Sequence, residues 1–222
     1  MLFLRSAALA AILVVFAVCG VSSNPAWAQS DAQSGAQGAA SAYVQKMGDR
    51  AILELTDRKV SDSERVTRMR ALLKEYFDVP AVSQFVLGTY WRQATEGERS
   101  EFMKLYEVVV AHTYAGLFKK YSGEQFKVQR ERAIDDDISV VYSQIIQTTG
   151  AEPISVEVTV KKDGGGSAFK AIDIKVEGIS MPLTHRKEYA SVIQRNRGQV
   201  SGLLKILKQK ADSLEAETPS RG

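Results

Sequence analysis

Thr95 to Gly123, TEGERSEFMKLYEVVVAHTYAGLFKKYSG, constrains the fold more than any other stretch of this chain. Thr95 followed three residues later by Glu98 is a capping box, which satisfies two otherwise orphaned amide donors at a helix start. Ser122-Gly123 supplies the residue type that commonly closes a helix. No proline intervenes, and Phe102, Leu105, Tyr106, Val109, Val110, Thr113, Leu117 and Tyr121 recur at helical spacing. With Tyr114 and Phe118 they cover an arc of roughly 220°, whereas a surface helix needs a stripe of only about 100°. A helix roughly 39 Å long with that much apolar surface must touch something on two sides. The remaining elements have to supply both contacts.

The chain has 222 residues, 45% hydrophobic and 25% charged, enough for one globular domain with a sizeable core. A formal net charge of +3 without a Lys/Arg-rich run gives no footprint for nucleic acid. At the N-terminus, Arg5 precedes an apolar run from Ala7 to Val18, and Ala26-Trp27-Ala28 has the small-x-small pattern of a signal-peptidase site. The run is shorter than the roughly 20 residues a membrane-spanning helix needs, so residues 1–28 read as a cleaved export signal. Val18 before Cys19 speaks against a lipoprotein site. Because the only cysteine, Cys19, lies inside the signal, the mature chain has no thiol for catalysis or metal binding.

Residues 29–41, rich in Ala, Gln, Gly and Ser, read as a flexible linker. A first helix follows over Ala42–Leu55. Ser61 and Glu64 form a second capping box that opens another, with Val66, Met69, Leu72, Leu73 and Tyr76 inward. Asp78 caps a short helix, Val79–Gly88, with Pro80 in its first turn. After the long helix the period changes to two. Phe126–Arg132 is a strand, and Ile138, Val140, Tyr142, Gln144 and Ile146 alternate along a second. Ile154, Val156, Val158 and Val160 alternate with polar residues along a third. Asp163-Gly164-Gly165-Gly166 is a turn, and Ala168, Ile172, Ile174 and Val176 share a face of the return strand. Helices resume over Leu183–Arg195 and Gln199–Lys210, and residues 212–222 form a polar, disordered tail. The expected class is therefore α+β: an antiparallel sheet of four strands, plus or minus one, twisted and covered on one face by helices.

Catalytic motifs are sparse. His112 falls on the polar arc of the long helix and His185 in a basic run with Arg186 and Lys187, so both read as solvated surface residues. Asp173 alternates away from the apolar face. Asp135-Asp136-Asp137 lacks the glycine and distal glutamate of a calcium loop. No metal or cofactor is expected. Periodicity does not separate a filled core from a cavity.

Phe85-Val86-Leu87-Gly88-Thr89-Tyr90-Trp91-Arg92-Gln93-Ala94-Thr95 resembles a diagnostic segment of the MlaC family, also called toluene-tolerance periplasmic proteins. Tyr121-Ser122-Gly123-Glu124-Gln125-Phe126, Asp173 through Met181, and Glu188-Tyr189 through Gly202-Leu203-Leu204 resemble three more, in order. The resemblance spans roughly Ala42 to Lys210, so a domain over 42–211 is expected. It implies a monomeric, non-enzymatic periplasmic carrier that takes a phospholipid between an outer-membrane lipoprotein complex and an inner-membrane ABC transporter, maintaining lipid asymmetry. A sister group implies hopanoid cargo instead. Under this resemblance the second side of the long helix faces lipid tails, and the apolar sheet face closes a pocket. The lining positions are then Phe85, Leu87, Tyr90, Phe102, Tyr106, Val109, Val110, Val156, Val158, Ile172, Ile174 and Met181, with Glu177 at the mouth near a headgroup. Ser155 departs from the family, which often carries an arginine there. A cavity enzyme using Asp173 and a histidine, or an adaptor domain with a filled core, are the readings from other classes.

Overall fold

The computed structural model describes residues 38–163 and 168–218. The export signal, most of the linker and the Gly164–Gly166 turn lie outside the described residues. Seven helices and five strands follow in order: α1 (Ala39–Leu55), α2 (Asp62–Tyr76), α3 (Val79–Leu87), α4 (Tyr90–Gln93), α5 (Glu96–Ala115), β1 (Gln125–Ala133), β2 (Ile138–Ile146), β3 (Ile154–Lys162), β4 (Phe169–Val176), β5 (Ile179–Ser180), α6 (Met181–Arg195) and α7 (Val200–Glu217). The fold is α+β, and the strands form one antiparallel sheet in the order β1-β2-β3-β4-β5.

Capping chemistry sets most of the helix starts. The Thr95–Glu98 box is formed in both directions, and the Ser61, Asp78 and Ser180 side chains each accept from an amide in the first turn. α1 starts at Ala39, inside the stretch read as linker. Its N-cap, Gly38, has no side chain to offer, and Glu131 of β1 replaces it by accepting the Ser41 amide at 2.6 Å. At the other end, α7 continues to Glu217, well past Lys210, because Ala211 and Leu214 prolong the apolar stripe that meets α5. α5 is shorter than its pattern suggests. From Gly116 to Lys120 it tightens into a 3-10 turn.

Three apolar clusters hold these elements together. In the first, α1 lies on the sheet, with Ala40 and Val44 against Val128, Val141, Val156, Val158 and Val160. In the second, Leu55 of α1 meets Val66, Met69 and Leu72 of α2 and Ala111 and Ala115 of α5. The third joins α3, α5, α6 and α7 around Phe102 and Ile193, both 0% exposed. The two apolar sides of α5 are thus occupied by α2 and by α3 with α7.

Two strand faces differ from the alternation read in the sequence. In β2 the residues facing α1 are Val141, Ser143 and Ile145, because they pair with Val158, Val156 and Ile154. Ile138, Val140, Tyr142 and Gln144 are on the opposite face. In β4 a bulge between Ala171 and Asp173 leaves Ile172 without a partner and resets the phase, so Phe169 and Ala171 join the core together with Ile174.

α1 also closes the open edge of β1. The Gln45 amide donates to the Phe126 carbonyl at 3.2 Å and accepts from the Val128 amide at 3.1 Å, as a further strand would. Gly48, one turn on, lets the helix sit against the Phe126 ring, which a Cβ at that position would strike. Gly48→Ala therefore sets about 1 kcal/mol of helix propensity against an overpacking cost of roughly 1–3 kcal/mol. The expected outcome is a net loss of stability, read as a lower urea midpoint with an unchanged slope.

Candidate functional site

The residues expected to line one pocket are divided between two walls. Leu87, Phe102, Tyr106 and Val109 belong to the all-helical cluster, with Tyr90 and Val110 half-buried at its margin. Phe102 is fully enclosed, stacked on Tyr106 at 5.6 Å and meeting Tyr189 edge-on at 6.0 Å. Val156 and Val158 are buried in the sheet cluster, with Ile174 partly buried beside them. Phe85 is 44% exposed under the Arg186 guanidinium, whose centre lies 5.0 Å from the ring. Where the sheet meets the α1–α2–α5 cluster runs a seam of apolar side chains that are only half-buried. Tyr43, Met47 and Phe77 touch both the sheet cluster and the α1–α2–α5 cluster, and Tyr114 and Phe118 of the α5 segment flank the latter. These five were not singled out from the sequence as lining. The signal was present in Met47, which shares a face of α1 with Tyr43, but only the packing shows that this face straddles two layers.

A polar chain crosses from α5 to α6 at the same level. His185 is half-buried, so it is not the solvated residue its basic neighbours suggested. Its ring stacks on Tyr189 at 5.9 Å and meets Tyr106 edge-on at 5.6 Å. One proton assignment satisfies every group: Tyr106 O–H donates to Nδ1 at 2.9 Å, Nε2–H donates to the Tyr114 oxygen at 3.4 Å, and Tyr114 O–H donates to Met181 Sδ at 3.1 Å. Burial holds the His185 pKa below its ordinary value, against the pull of Glu188. His112 is also half-buried, with Nδ1 3.1 Å from the Thr218 hydroxyl, and burial lowers its pKa too. Asp173 is half-buried rather than turned to solvent. Burial raises its pKa, and its carboxylate accepts from the Ser180 hydroxyl at 2.9 Å. Both members of the imagined acid–base pair are thus committed to partners that position α6.

Glu177 is equally engaged. It sits at φ +50° in the β4–β5 turn, its carboxylate accepts the Ser155 amide, and its own amide donates to the Ser155 carbonyl at 3.0 Å. This double contact ties the β4–β5 turn to β3 and leaves one carboxylate oxygen for anything else. Gly88, at φ +57°, is where the Arg186 guanidinium rests. A Cβ there would push the guanidinium aside, but it is the backbone, at φ +57°, that calls for glycine at this place in the Phe85–Thr95 segment. Two grooves stand out on the surface. One of about 370 Å³ follows the outer side of α1 between Ala42 and Leu53. The other, about 180 Å³, lies among α2, α5 and α7 beside Arg65 and His112. Neither includes a residue of the sheet.

The family model for the MlaC protein matches residues 45–209, which is most of α1 through the body of α7. The chain belongs to the MlaC family. The intermembrane phospholipid transport system binding protein MlaC of Haemophilus influenzae is 23% identical over 146 residues, covering 65% of this chain and 67% of that protein. Among solved structures, a phospholipid-binding protein from Ralstonia solanacearum in complex with a phospholipid superposes with a TM-score of 0.67 at 24% identity. The match covers 78% of this chain and 97% of that one, so the two share a fold.

In this MlaC-family chain the two half-buried histidines have a pH consequence. A histidine whose pKa is lower folded than unfolded leaves the unfolded state binding more protons, so stability is present above the ordinary value of 6.5 and is lost as pH falls below it. The melting temperature is expected to decline between pH 7 and pH 5. His185→Gln, which removes a stacked ring worth roughly 1–3 kcal/mol, should lower the melting temperature at pH 8 and flatten that decline. His112→Gln should flatten it less, and thermal melts across the pH series separate the two.

Proposed function

We propose that this chain is a periplasmic phospholipid carrier, a binding protein without a catalytic step. The observation that carries the reading is the half-buried apolar seam between α1, α5 and the sheet, in a fold shared with a protein whose structure holds a phospholipid. Apolar side chains gain from losing water, and a row of them left half-open at an internal boundary is stabilised when another apolar surface fills it. The tails need such a surface. At about 0.8 kcal/mol per methylene, a 16-carbon chain is disfavoured in water by on the order of 12 kcal/mol. An aqueous compartment between two membranes is therefore crossed only inside a protein.

The seam narrows the set of tail contacts. Val110, Ile172, Ile174 and Met181 remain from the positions read in the sequence, joined by Met47, Phe77 and Tyr114. The enclosed Leu87 and Phe102 act behind them as support. Tyr114 and His185 place a phenol and an imidazole at the helical margin of this boundary, where an ester or phosphate oxygen would compete with Met181 Sδ for the Tyr114 O–H. Export through the N-terminal signal puts the carrier in the periplasm. An ABC transporter at the inner membrane and a lipoprotein complex at the outer membrane are its exchange partners, and lipid asymmetry is the outcome of that traffic.

Mass spectrometry of the organic extract of protein purified from its own periplasm tests the reading. Diacyl phospholipid at one molecule per chain is expected, together with an intact mass that begins near Gln29. Hopanoid in the extract would replace the cargo, and an extract without lipid would return the chain to the adaptor class. Ile174→Trp tests the seam itself. It should cost roughly 1–3 kcal/mol of stability and cut the co-purified lipid to less than half, whereas full lipid content in a folded Ile174→Trp protein would remove this face from the pocket.

A further inference from the structure

The sheet face turned away from α1 carries four lysine and arginine side chains that no carboxylate among the described residues pairs. Cross-strand register places Arg130, Tyr142, Glu157 and Lys175 in one row, and Arg132, Val140, Thr159 and Asp173 in the next. Lys127 and Lys161 extend the same face on β1 and β3. Glu157 is paired with Lys175 at 3.5 Å, and Asp173 is held by Ser180 at 2.9 Å. Lys127, Arg130, Arg132 and Lys161 are exposed, and none of the four is in a salt bridge among the described residues. They are ordered by other means. The Arg130 guanidinium centre lies 3.7 Å from the centre of the Tyr142 ring, and Gln129 donates to Gln144 beside it at 3.3 Å. Stacking fixes Arg130 without consuming its charge.

We propose that this face of β1, β2 and β3 docks the protein on an anionic lipid bilayer surface, with Lys127, Arg130, Arg132 and Lys161 as the contact cations. Charge complementarity selects the partner. A protein interface of comparable area centres on large apolar or aromatic anchors that become fully desolvated. This face offers no exposed one: Val140 is buried, Ile138 is half-buried, Tyr142 is roofed by Arg130, and Ile134 lies in the hairpin beyond β1. Four unpaired cations on rigid strands suit a diffuse negative surface, where each strengthens binding about five-fold. Asp135, Asp136 and Asp137 at the β1–β2 tip would be repelled, so the docked face is tilted with Lys127 and Arg130 closest to the bilayer. Docking of this kind is independent of any cargo and holds the protein at a membrane without inserting into it.

Vesicle co-sedimentation at low salt tests the proposal with the full mature chain. The probes are phosphatidylcholine vesicles with and without a third of phosphatidylglycerol. Wild type should sediment with the anionic vesicles only and be released by salt. Arg130→Glu with Arg132→Glu should weaken sedimentation by at least about twenty-fold. Lys59→Glu with Lys205→Glu, which makes the same change in net charge at exposed positions in the α1–α2 turn and on α7, should stay within about two-fold. If the Arg130/Arg132 variant melts early, Lys127→Gln with Lys161→Gln takes its place and should lose about as much as two cations provide. Three outcomes overturn the proposal: no wild-type binding to anionic vesicles, equal loss in the control variant, or binding to an acidic protein surface without binding to vesicles. Lipid content of each variant, read by mass spectrometry, keeps the carrier reading separate, since docking and cargo are then lost independently.

Discussion

A helix with a period of 3.6 and a strand with a period of two share a core only through an element whose surface suits both, and here that element is α1. Its first turns lie on the sheet through Ala40 and Val44, and its last reaches α2 and α5 through Leu55. Tyr43 and Met47 lie between and touch both layers. The position is secured by polar contacts at the β1 edge. Glu131 caps the helix, Gln45 mimics a neighbouring strand, and Gly48 admits the Phe126 ring. If α1 were displaced, the sheet would lose its cover and the helical layer its link to the sheet.

Because α1 does the bridging, α5 does not. The excess apolar surface of the long helix is taken up within the helical layer, by α2 on one side and by α3 with α7 on the other. The half-buried apolar side chains gather instead where α1 passes from one layer to the other, shared by both clusters and fully buried by neither. The chain shares its family with MlaC proteins and its fold with a phospholipid-bound protein.

The polar residues near the seam have structural engagements that fold-level reasoning did not anticipate. His185 links two phenols and, through one of them, Met181. Asp173 holds the N-cap of α6 seven residues on, and Glu177 ties the β4–β5 turn to β3. The longest of these links joins elements far apart in the chain. Tyr106 and His185 are 79 positions apart, and no local pattern joins them.

The sequence alone determined the class, the number and type of the larger elements, the Ser61, Asp78 and Thr95 N-caps and the family, because caps, periods and motif segments are local properties of the chain. Tertiary structure alone decided which surfaces meet. Both faces of β2 carry apolar residues, so only its register with β3 chose Val141 and Ser143 for the core. One bulged residue, Ile172, reset the phase of β4, and β5 exists only because Val176 was in place to pair with Ile179. α7 outran its predicted end because α5 was there to receive Ala211 and Leu214. Periodicity tells which residues share a face. It carries no information about what that face will touch, since that depends on chain segments brought together only by folding.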